Sequence, residues 1–365
     1  MTSNRLRIMH VVSKLSTYGA EHLVAELAQK LAEHNVEVSV LTVYDSPPST
    51  NASAFRGPIF SARRRHRWDA AFFFRMVGLM RAWQPTVVHT HSHNGKYWGR
   101  LAAIAAGVPR IVHTEHNSDF RAGVLERITN RLLHRASARV VAFSEPHASA
   151  LARKERLERA KIAIIPNGIA AEERGNPQKA RMMLGLTERD RAIFLVGRLD
   201  PVKNQALAIR ALGELPPNVA DRIRLFIVGD GGERAALESL ARDEGVDDRV
   251  TFLGYRSDVR PLLAAADALL VTSRNEAMPL SVIEAIAAGI PVVTTPWYGV
   301  EAIVRDGVGS IASGWSPREV ADALFRSLEN GSTSRTDNGA VSGAQFPYDI
   351  ALTAQRHIEL YEALG

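Results

Sequence analysis

The sequence predicts an α/β protein of two successive doubly wound halves, each built around a parallel sheet. Short β-branched runs alternate with segments of helical period from one end of the chain to the other. The runs are continuously apolar, which indicates strands that are covered on both faces. With 365 residues, the chain is long enough for two domains of ordinary size.

The candidate strands occur in two groups, and helix-period segments separate them. Those of the first half are 6–13, 36–43, 86–91, 110–116, 138–144 and 161–166. Those of the second half are 192–197, 223–229, 249–254, 268–273 and 291–295. The segment 166–177 is rich in proline, glycine and charge, so we place the boundary there and expect domains 1–170 and 171–346. An amphipathic helix is predicted at 347–365.

Composition and charge narrow the class of protein. The chain contains no cysteine, which excludes disulfides, thiolate metal ligands and a cysteine nucleophile. Its net charge of +6 suits a phosphate-bearing ligand or an anionic membrane surface. No apolar run reaches the roughly 18 residues that span a bilayer, and no signal region precedes the first strand. We therefore expect a cytoplasmic protein.

Two glutamates stand out in the otherwise apolar segment "RNEAMPLSVIEAIAAG" (274–289). Glu276 precedes a helix that starts near Pro279, and Glu284 lies inside that helix. At the carboxyl end of a strand, the free amides of Leu280 and Ser281 form an anion site. The spacing leaves two interpretations open: a ligand site, or two solvated acids that favour the helix dipole.

Basic and glycine-containing loops follow other strands. "LVGRLDPVKN" (195–204) places Arg198 and Lys203 beside the start of a helix, where an anion pocket or an ordinary solvated loop would both fit. In "FLGYRSD" (252–258), Tyr255 could flank a base or be partly buried surface. Gly19 precedes a helix near Glu21 and would let backbone approach a phosphate. The dinucleotide fingerprint is absent, which argues against a dehydrogenase.

Histidines concentrate at two predicted strand ends, "HTHSHN" (89–94) and "VHTEHN" (112–117). Strand alternation would put His89, His91 and His93 on one face of an exit loop. Because no carboxylate or cysteine lies near these three histidines in sequence, we expect no metal site there. The histidines, His116 among them, are better explained as hydrogen-bonding groups that line a cleft.

Together these segments resemble the retaining glycosyltransferases of the GT-B fold, family 4 type. The resemblance spans nearly the whole chain, and its most specific part is the glutamate–seven–glutamate motif from Glu276 to Glu284. "VGRLDPVKN" resembles the family's basic phosphate-binding loop, "IIPNGI" its interdomain hinge and "FLGY" its nucleobase wall. "YGAEH" resembles the amino-terminal Gly-Gly-x-Glu loop, although Ala20 replaces the second glycine.

The resemblance implies two facing Rossmann-like domains with an interdomain cleft. Residues 1–170, joined by the crossover helix 347–365, would receive the acceptor, and residues 171–346 would bind the donor. The implied donor is a UDP- or GDP-linked sugar, and no metal ion or other cofactor is expected. The reaction would be a hexosyl transfer with retained configuration.

The resemblance also assigns roles to individual residues. His116 would hydrogen-bond the sugar near the anomeric carbon, and Gly19 would lie near the acceptor. The remaining assignments concern the donor: Arg198 and Lys203 for the diphosphate, Glu276 for the sugar, Glu284 for the ribose, Tyr255 for the base, and Leu280 and Ser281 for an anionic group.

The acceptor is expected to be a glycan or a lipid-linked saccharide, as in bacterial surface polysaccharide synthesis, and no nucleic acid is expected. The basic and aromatic segment 61–83 could dock on an anionic membrane at the inner face, or it could be an ordinary amphipathic helix. Two further alternatives stay open: a sugar-nucleotide epimerase or hydrolase of the same fold, and a catalytically silent subunit that binds a nucleotide sugar.

Overall fold

The computed structural model describes residues 5–15, 19–45, 55–116, 124–170, 175–304, 308–331 and 346–365. The chain divides into two compact units. The first unit contains residues 1–170 and 347–365, and the second contains residues 171–346. Each unit has one sheet whose paired strands all run parallel. The predicted doubly wound α/β architecture is therefore confirmed.

The sheet of the first unit has seven strands in the order β3-β2-β1-β4-β5-β6-β7. They are β1 Arg7–Val12, β2 Glu37–Thr42, β3 Ile59–Ser61, β4 Val87–Thr90, β5 Arg110–Thr114, β6 Arg139–Ala142 and β7 Ile162–Ile164. The short edge strand β3 was not predicted, since it lies in a turn-rich segment without an apolar run. The helices between these strands are α1 Gly19–Ala32, α2 Ala71–Trp83, α3 Ser92–Asn94, α4 Arg100–Ala106, α5 Val124–Ala136 and α6 Glu145–Lys154, with a π-helix at Gly95–Gly99 and a 3-10 turn at Arg159–Lys161.

The sheet of the second unit has six strands in the order β10-β9-β8-β11-β12-β13. They are β8 Arg191–Val196, β9 Ile223–Val228, β10 Val250–Gly254, β11 Ala268–Val271, β12 Val292–Thr294 and β13 Gly309–Ile311. Its helices are α7 Pro177–Met183, α8 Gln205–Gly213, α9 Pro217–Ala220, α10 Arg234–Asp243, α11 Val259–Leu263, α12 Leu280–Ala287 and α13 Pro317–Gly331, with 3-10 turns at Asp247–Arg249 and Val300–Ala302.

Burial explains why the strands show little alternation of apolar and polar residues. Ile193, Leu195 and Ile227 are buried in one core cluster that helices cover, while Phe194 and Phe226 stack on each other with ring centroids 5.2 Å apart. A strand with helices on both sides has no solvent face, so most of its positions are apolar. Hydrophobic burial of this kind is the main stabilising contribution to each unit.

The last helix, α14 (Ile350–Glu362), belongs to the first unit, where it packs against α1. Backbone hydrogen bonds fix its approach: the Ile169 amide donates to the Tyr348 carbonyl at 2.8 Å, and the Ile350 amide donates to the Ile169 carbonyl at 3.0 Å. The Asp349 side chain caps the helix by accepting from the Ala351 amide at 2.8 Å. No helix in the described ranges is long and apolar enough to cross a membrane.

Glycines let two loops of the second unit approach closely at the carboxyl edge of the sheet. Gly229 has φ +142°, and a Cβ there would lie 2.0 Å from the Gly197 carbonyl oxygen. A Cβ on Gly231 would lie 2.2 Å from the Leu199 carbonyl oxygen. The approach allows the Leu199 amide to donate to the Asp230 carbonyl at 3.0 Å. The "VGDGG" turn (228–232) thus packs against the loop 197–204 and holds it in position.

We expect Gly231→Ala to lower the free energy of unfolding by about 1–3 kcal/mol, because its methyl group would overlap the Leu199 carbonyl. Gly232→Ala is the matched control, since a Cβ there meets nothing within 4 Å, and we expect a change below about 0.5 kcal/mol. Denaturant unfolding of both variants measures the difference. Equal stability of the two variants would contradict the close approach of the loops.

Candidate active site

The contact between Lys203 and Glu276 brings two loops of the second unit together. Lys203 lies in the loop after β8, and Glu276 lies in the loop between β11 and α12. Because β8 and β11 are paired parallel neighbours, their carboxyl ends meet at one edge. The Lys203 Nζ lies 2.6 Å from Glu276 Oε1, and Ser273 Oγ donates to the same oxygen at 2.6 Å. Glu276 is thus held by a cation and a hydroxyl.

Backbone bonds hold these two loops in register. The Arg274 amide donates to the Val202 carbonyl at 2.8 Å, and the Thr272 hydroxyl donates to the Lys203 carbonyl at 3.2 Å. Asp200 Oδ1 accepts from the amides of Val202 and Lys203, both at 3.1 Å. The loop therefore positions Lys203 before any ligand is present.

Arg198 lies at the start of the same loop and points largely into solvent. Its side chain is 77% exposed, and its Nε donates to Asp200 Oδ2 at 2.6 Å. Exposed ion pairs contribute little to stability. The guanidinium can therefore exchange Asp200 for an anionic ligand at small cost, whereas Lys203 is already part of a partly buried pair.

Glu284 lies in the second turn of α12, and its partner is Arg260 of α11. The Arg260 Nε donates to Glu284 Oε1 at 3.4 Å, and both side chains are mostly buried. The helix begins at Leu280, with Pro279 as the residue before it. Its first backbone bond runs from the Val282 amide to the Pro279 carbonyl at 3.2 Å. The amides of Leu280 and Ser281 precede that bond, as an anion site requires.

Tyr255 directly follows β10 and is 37% exposed. Its strand lies two positions from β8 in the sheet, with β9 between them. Gly19 of the first unit is the first residue of α1 and has φ +48°, a left-handed conformation that glycine adopts without strain.

His116 belongs to a group of histidines that lie within or just after three neighbouring strands of the first unit, β1, β4 and β5. His91 Nδ1 lies 3.2 Å from His116 Nε2, and His91 Nε2 lies 2.9 Å from His10 Nδ1. His89 contacts the hydroxyl of Tyr361 at 2.5 Å through Nδ1 and that of Thr114 at 2.7 Å through Nε2. His10, His89 and His91 are fully or almost fully buried.

The expected placement of His89, His91 and His93 on one face is wrong. The chain leaves its extended conformation after Thr90 and enters α3, so His93 is exposed and packs its ring against Tyr97. His10 of β1, and not His93, lies beside His89 and His91. In the described part of the chain, His10, His89 and His91 form the group whose nitrogens lie close enough for a metal ion, all within 4.8 Å.

Comparison with known proteins shows the family to which this chain belongs. The family profile "Glycosyltransferase Family 4" matches residues 17–173. The profile "Glycosyl transferases group 1" matches residues 178–339, which include the Lys203–Glu276 contact. A D-inositol 3-phosphate glycosyltransferase of Frankia alni is 30% identical over 371 residues, which cover 89% of this chain and 90% of the relative. The chain belongs to the family 4 glycosyltransferases of the GT-B fold.

Two further relatives of the glycosyltransferase have informative names. A UDP-Gal:alpha-D-GlcNAc-diphosphoundecaprenol alpha-1,3-galactosyltransferase of Escherichia coli is 24% identical over 326 residues, or 84% of this chain and 83% of the relative. The crystal structure of HepE from Anabaena in complex with UDP-glucose matches with a TM-score of 0.84 and 21% identity, covering 98% of this chain and 100% of HepE. At that identity the structural match shows the fold alone.

Several partners in the glycosyltransferase were not predicted from its sequence. Ser273 and Asp200 lie close in sequence to the residues that they contact, and their positions beside a strand end and a helix start were available signals. Arg260 lies 24 residues from Glu284, and His10 lies 81 residues from His91. No local pattern joins these pairs, because only the sheet and the helix packing bring them together.

Burial lowers the pKa of several histidines of the glycosyltransferase and keeps them neutral. Loss of hydration lowers the pKa of His10 and of His116 to about 3, and that of His91 well below its ordinary value. The same burial lowers the pKa of His113 and of His357 to about 4.

These shifts predict that the glycosyltransferase loses stability in mild acid. An unfolded histidine gains a proton as the pH falls through its ordinary pKa of 6.5, whereas folded His357 does so only near 4. The unfolded state then binds more protons, so the free energy of unfolding falls as the pH drops through this window. We expect His357→Leu to make that fall shallower by about 1.4 kcal/mol per pH unit. Denaturant titrations at pH 7, 6 and 5 compare the two slopes, and parallel slopes would contradict a neutral buried His357.

Proposed function

We propose that this glycosyltransferase moves a hexose from a UDP- or GDP-linked sugar to a glycan or lipid-linked saccharide, with retained configuration and without a metal ion. The observation that carries the proposal is the preformed contact of Lys203 and Ser273 with Glu276. It places a cation and a carboxylate side by side at the carboxyl edge of a parallel sheet, where α/β proteins bind ligands. The Lys203 cation would bind the diphosphate of the donor, and the Glu276 carboxylate would accept hydrogen bonds from hydroxyls of the sugar.

The proposed diphosphate site uses Lys203 and Arg198. The Lys203 ammonium carries three protons, so a contact with Glu276 leaves donors for phosphate oxygens. Arg198 is exposed and adds a planar fork that fits phosphate. The two cations would neutralise the charge that develops on the leaving nucleotide, a role that other enzymes give to a metal ion.

The glutamates would hold the sugar and the ribose. Both contacts to Glu276 use Oε1, and Oε2 makes no hydrogen bond to any described residue, which leaves it for sugar hydroxyls. Glu284 would accept from ribose hydroxyls while Arg260 holds its other side. Tyr255 would flank the base, and the Leu280 and Ser281 amides would meet an anionic group of the donor.

The proposed chemistry breaks the bond between the anomeric carbon and the phosphate oxygen. The acceptor oxygen forms the new glycosidic bond on the same face of the sugar, and its proton passes to the leaving phosphate. His116 would donate a hydrogen bond to the sugar, and Gly19 would lie near the acceptor. The roles assigned to Lys203 and Arg198 lower the barrier by stabilising charge on the leaving group.

The named relatives support the donor and the acceptor classes. HepE was crystallised with UDP-glucose, and the Escherichia coli relative is named for transfer from UDP-Gal to a diphosphoundecaprenol-linked sugar. We extend these properties to this chain as a proposal, together with a role in bacterial surface polysaccharide synthesis at the cytoplasmic face of the membrane.

The proposal predicts that release of nucleoside diphosphate depends on an acceptor. Purified protein would be incubated with UDP- and GDP-hexoses, with and without membrane-extracted lipid-linked saccharides. The released nucleoside diphosphate and the glycosylated acceptor would both be quantified by mass spectrometry. We expect Lys203→Met to lower turnover by about a hundredfold or more, since it removes a charge that stabilises the transition state. Lys179→Met, at an exposed residue of α7, is the matched control and should retain activity.

Other outcomes of that assay would replace the proposal. Release of nucleotide that is the same with and without acceptor would indicate a hydrolase. Donor binding without any product would indicate a silent subunit. An isomerised nucleotide sugar would indicate an epimerase.

We also propose that the surface around the start of α2 contacts an anionic membrane. Trp68 is 77% exposed and Phe74 is 72% exposed. Arg65 and Arg67 are exposed beside them, and the Arg67 guanidinium lies 4.8 Å from the Trp68 ring centre. Aromatic side chains next to cations are typical of interfacial binding. Arg64 is not part of this surface, because its guanidinium packs 4.6 Å from the Phe72 ring centre.

We expect the protein to float with phosphatidylserine liposomes at low salt and less at high salt, since the attraction is partly electrostatic. The double variant Trp68→Ser/Phe74→Ser should bind at least about tenfold more weakly, because it removes two apolar groups that would leave water. Met182→Ser, which changes a residue 75% exposed on the second unit, is the control. Unchanged flotation of the double variant would contradict membrane contact through this surface.

A further inference from the structure

Three imidazoles form a continuous hydrogen-bonded chain in the first unit. His10 Nδ1 contacts His91 Nε2 at 2.9 Å, and His91 Nδ1 contacts His116 Nε2 at 3.2 Å. The ring planes of His10 and His91 are inclined by 29°, with centroids 5.2 Å apart. His10 and His91 are buried, while His116 is partly exposed at the end of the chain.

A neutral imidazole has one N–H and one lone pair. Within this chain, the nitrogen that carries the proton on one ring therefore decides which nitrogen carries it on the other two. In one arrangement, His10 donates from Nδ1 to His91, and His91 donates from Nδ1 to His116. His116 then carries its proton on Nδ1. In the reverse arrangement, all protons lie on Nε2 and His116 is the first donor.

The surroundings of His10 distinguish the two arrangements. Its Nε2 is buried and has no hydrogen-bond partner among the described residues. The reverse arrangement would bury an N–H group there without an acceptor, whereas the first leaves only a lone pair unpaired. Unpaired buried N–H groups are rarer than unpaired acceptors.

We propose that His10 and His91 are positioning residues that hold His116 in the tautomer with its proton on Nδ1. His116 Nδ1 makes no hydrogen bond within the described part of the chain, and His116 Nε2 is occupied by His91. His116 is therefore a donor toward a ligand and not a base. This use of the proton rests on the proposed function, but the tautomer itself does not.

A shared metal ion is the competing explanation for the buried histidines, since His10, His89 and His91 are close enough for one. Both nitrogens of His89 already contact hydroxyl groups, of Tyr361 and Thr114. A metal ion bound by all three histidines would therefore have to displace one of these two contacts of His89. The hydrogen-bonded chain satisfies the observed contacts without that change.

The tautomer can be measured directly. Protein with ¹⁵N-labelled histidine rings would be examined by long-range proton–nitrogen correlation NMR at pH 7.5, with His116→Gln used to assign the His116 signals. We expect the His116 proton on Nδ1 in the wild type. In His10→Leu, which cannot donate, the Nε2-protonated form should increase. His10→Asn should retain the wild-type pattern, because its amide N–H replaces the donor.

His357→Leu is the matched control, since it removes a buried histidine near His89 that lies outside the chain of three. Its His116 signals should be unchanged, and thermal unfolding would show that all variants fold. A wild-type His116 protonated on Nε2 would overturn the proposal, as would the same tautomer in a folded His10→Leu. Retention of about one zinc ion per chain after treatment with a chelator would also overturn it.

An activity measurement separates failure of this proposal from failure of the proposed function. With the NDP-sugar that gives product, we expect His10→Leu to lower kcat by about tenfold to a hundredfold, with KM for that donor within about threefold. His10→Asn should recover most of kcat. If the tautomer changes as expected but no NDP-sugar is turned over, only the proposed function fails. A fully active His10→Leu with an altered tautomer would show that donation by His116 is not required.

Discussion

Both units depend on one constraint: each sheet is parallel, and helices cover its faces. Such strands have no solvent face, so a polar side chain costs least where the strand ends, and one inside a strand, such as His10, needs a buried hydrogen-bond partner. Parallel strands also end at the same edge, which collects these side chains in one place. Lys203 and Glu276 meet for this reason, and so do the histidines after β4 and β5.

The same constraint made the architecture readable from sequence. Continuous apolar runs separated by helical segments predicted both sheets, and the glutamate motif singled out Glu276 and Glu284, which contact Lys203 and Arg260. The edge strands β3 and β13 were missed because neither contains a full apolar run. Arg260 could not be matched to Glu284, because the two residues lie on different helices, 24 positions apart, and meet only in the folded chain.

The buried histidines show a second limit of sequence patterns. Alternation holds only while the chain stays extended, and the turn into α3 after Thr90 removes His93 from the group. His10 was overlooked because a single polar residue in an apolar strand carries no local signal of its partner. Its significance comes from the order of the strands, in which β1 lies beside β4. Strand order is set by long-range pairing, which one sequence does not expose.

The position of α14 imposes an order on biosynthesis. Residues 347–365 complete the first unit, yet the ribosome adds them only after all of residues 171–346. Translation at 5–20 residues per second would take roughly 10–35 seconds over that stretch. During this time α1 lacks its contacts with α14, and the hydroxyl of Tyr361 has not yet reached His89. The second unit thus has time to fold while the first is still incomplete, and closure of the first unit waits for residues 347–365.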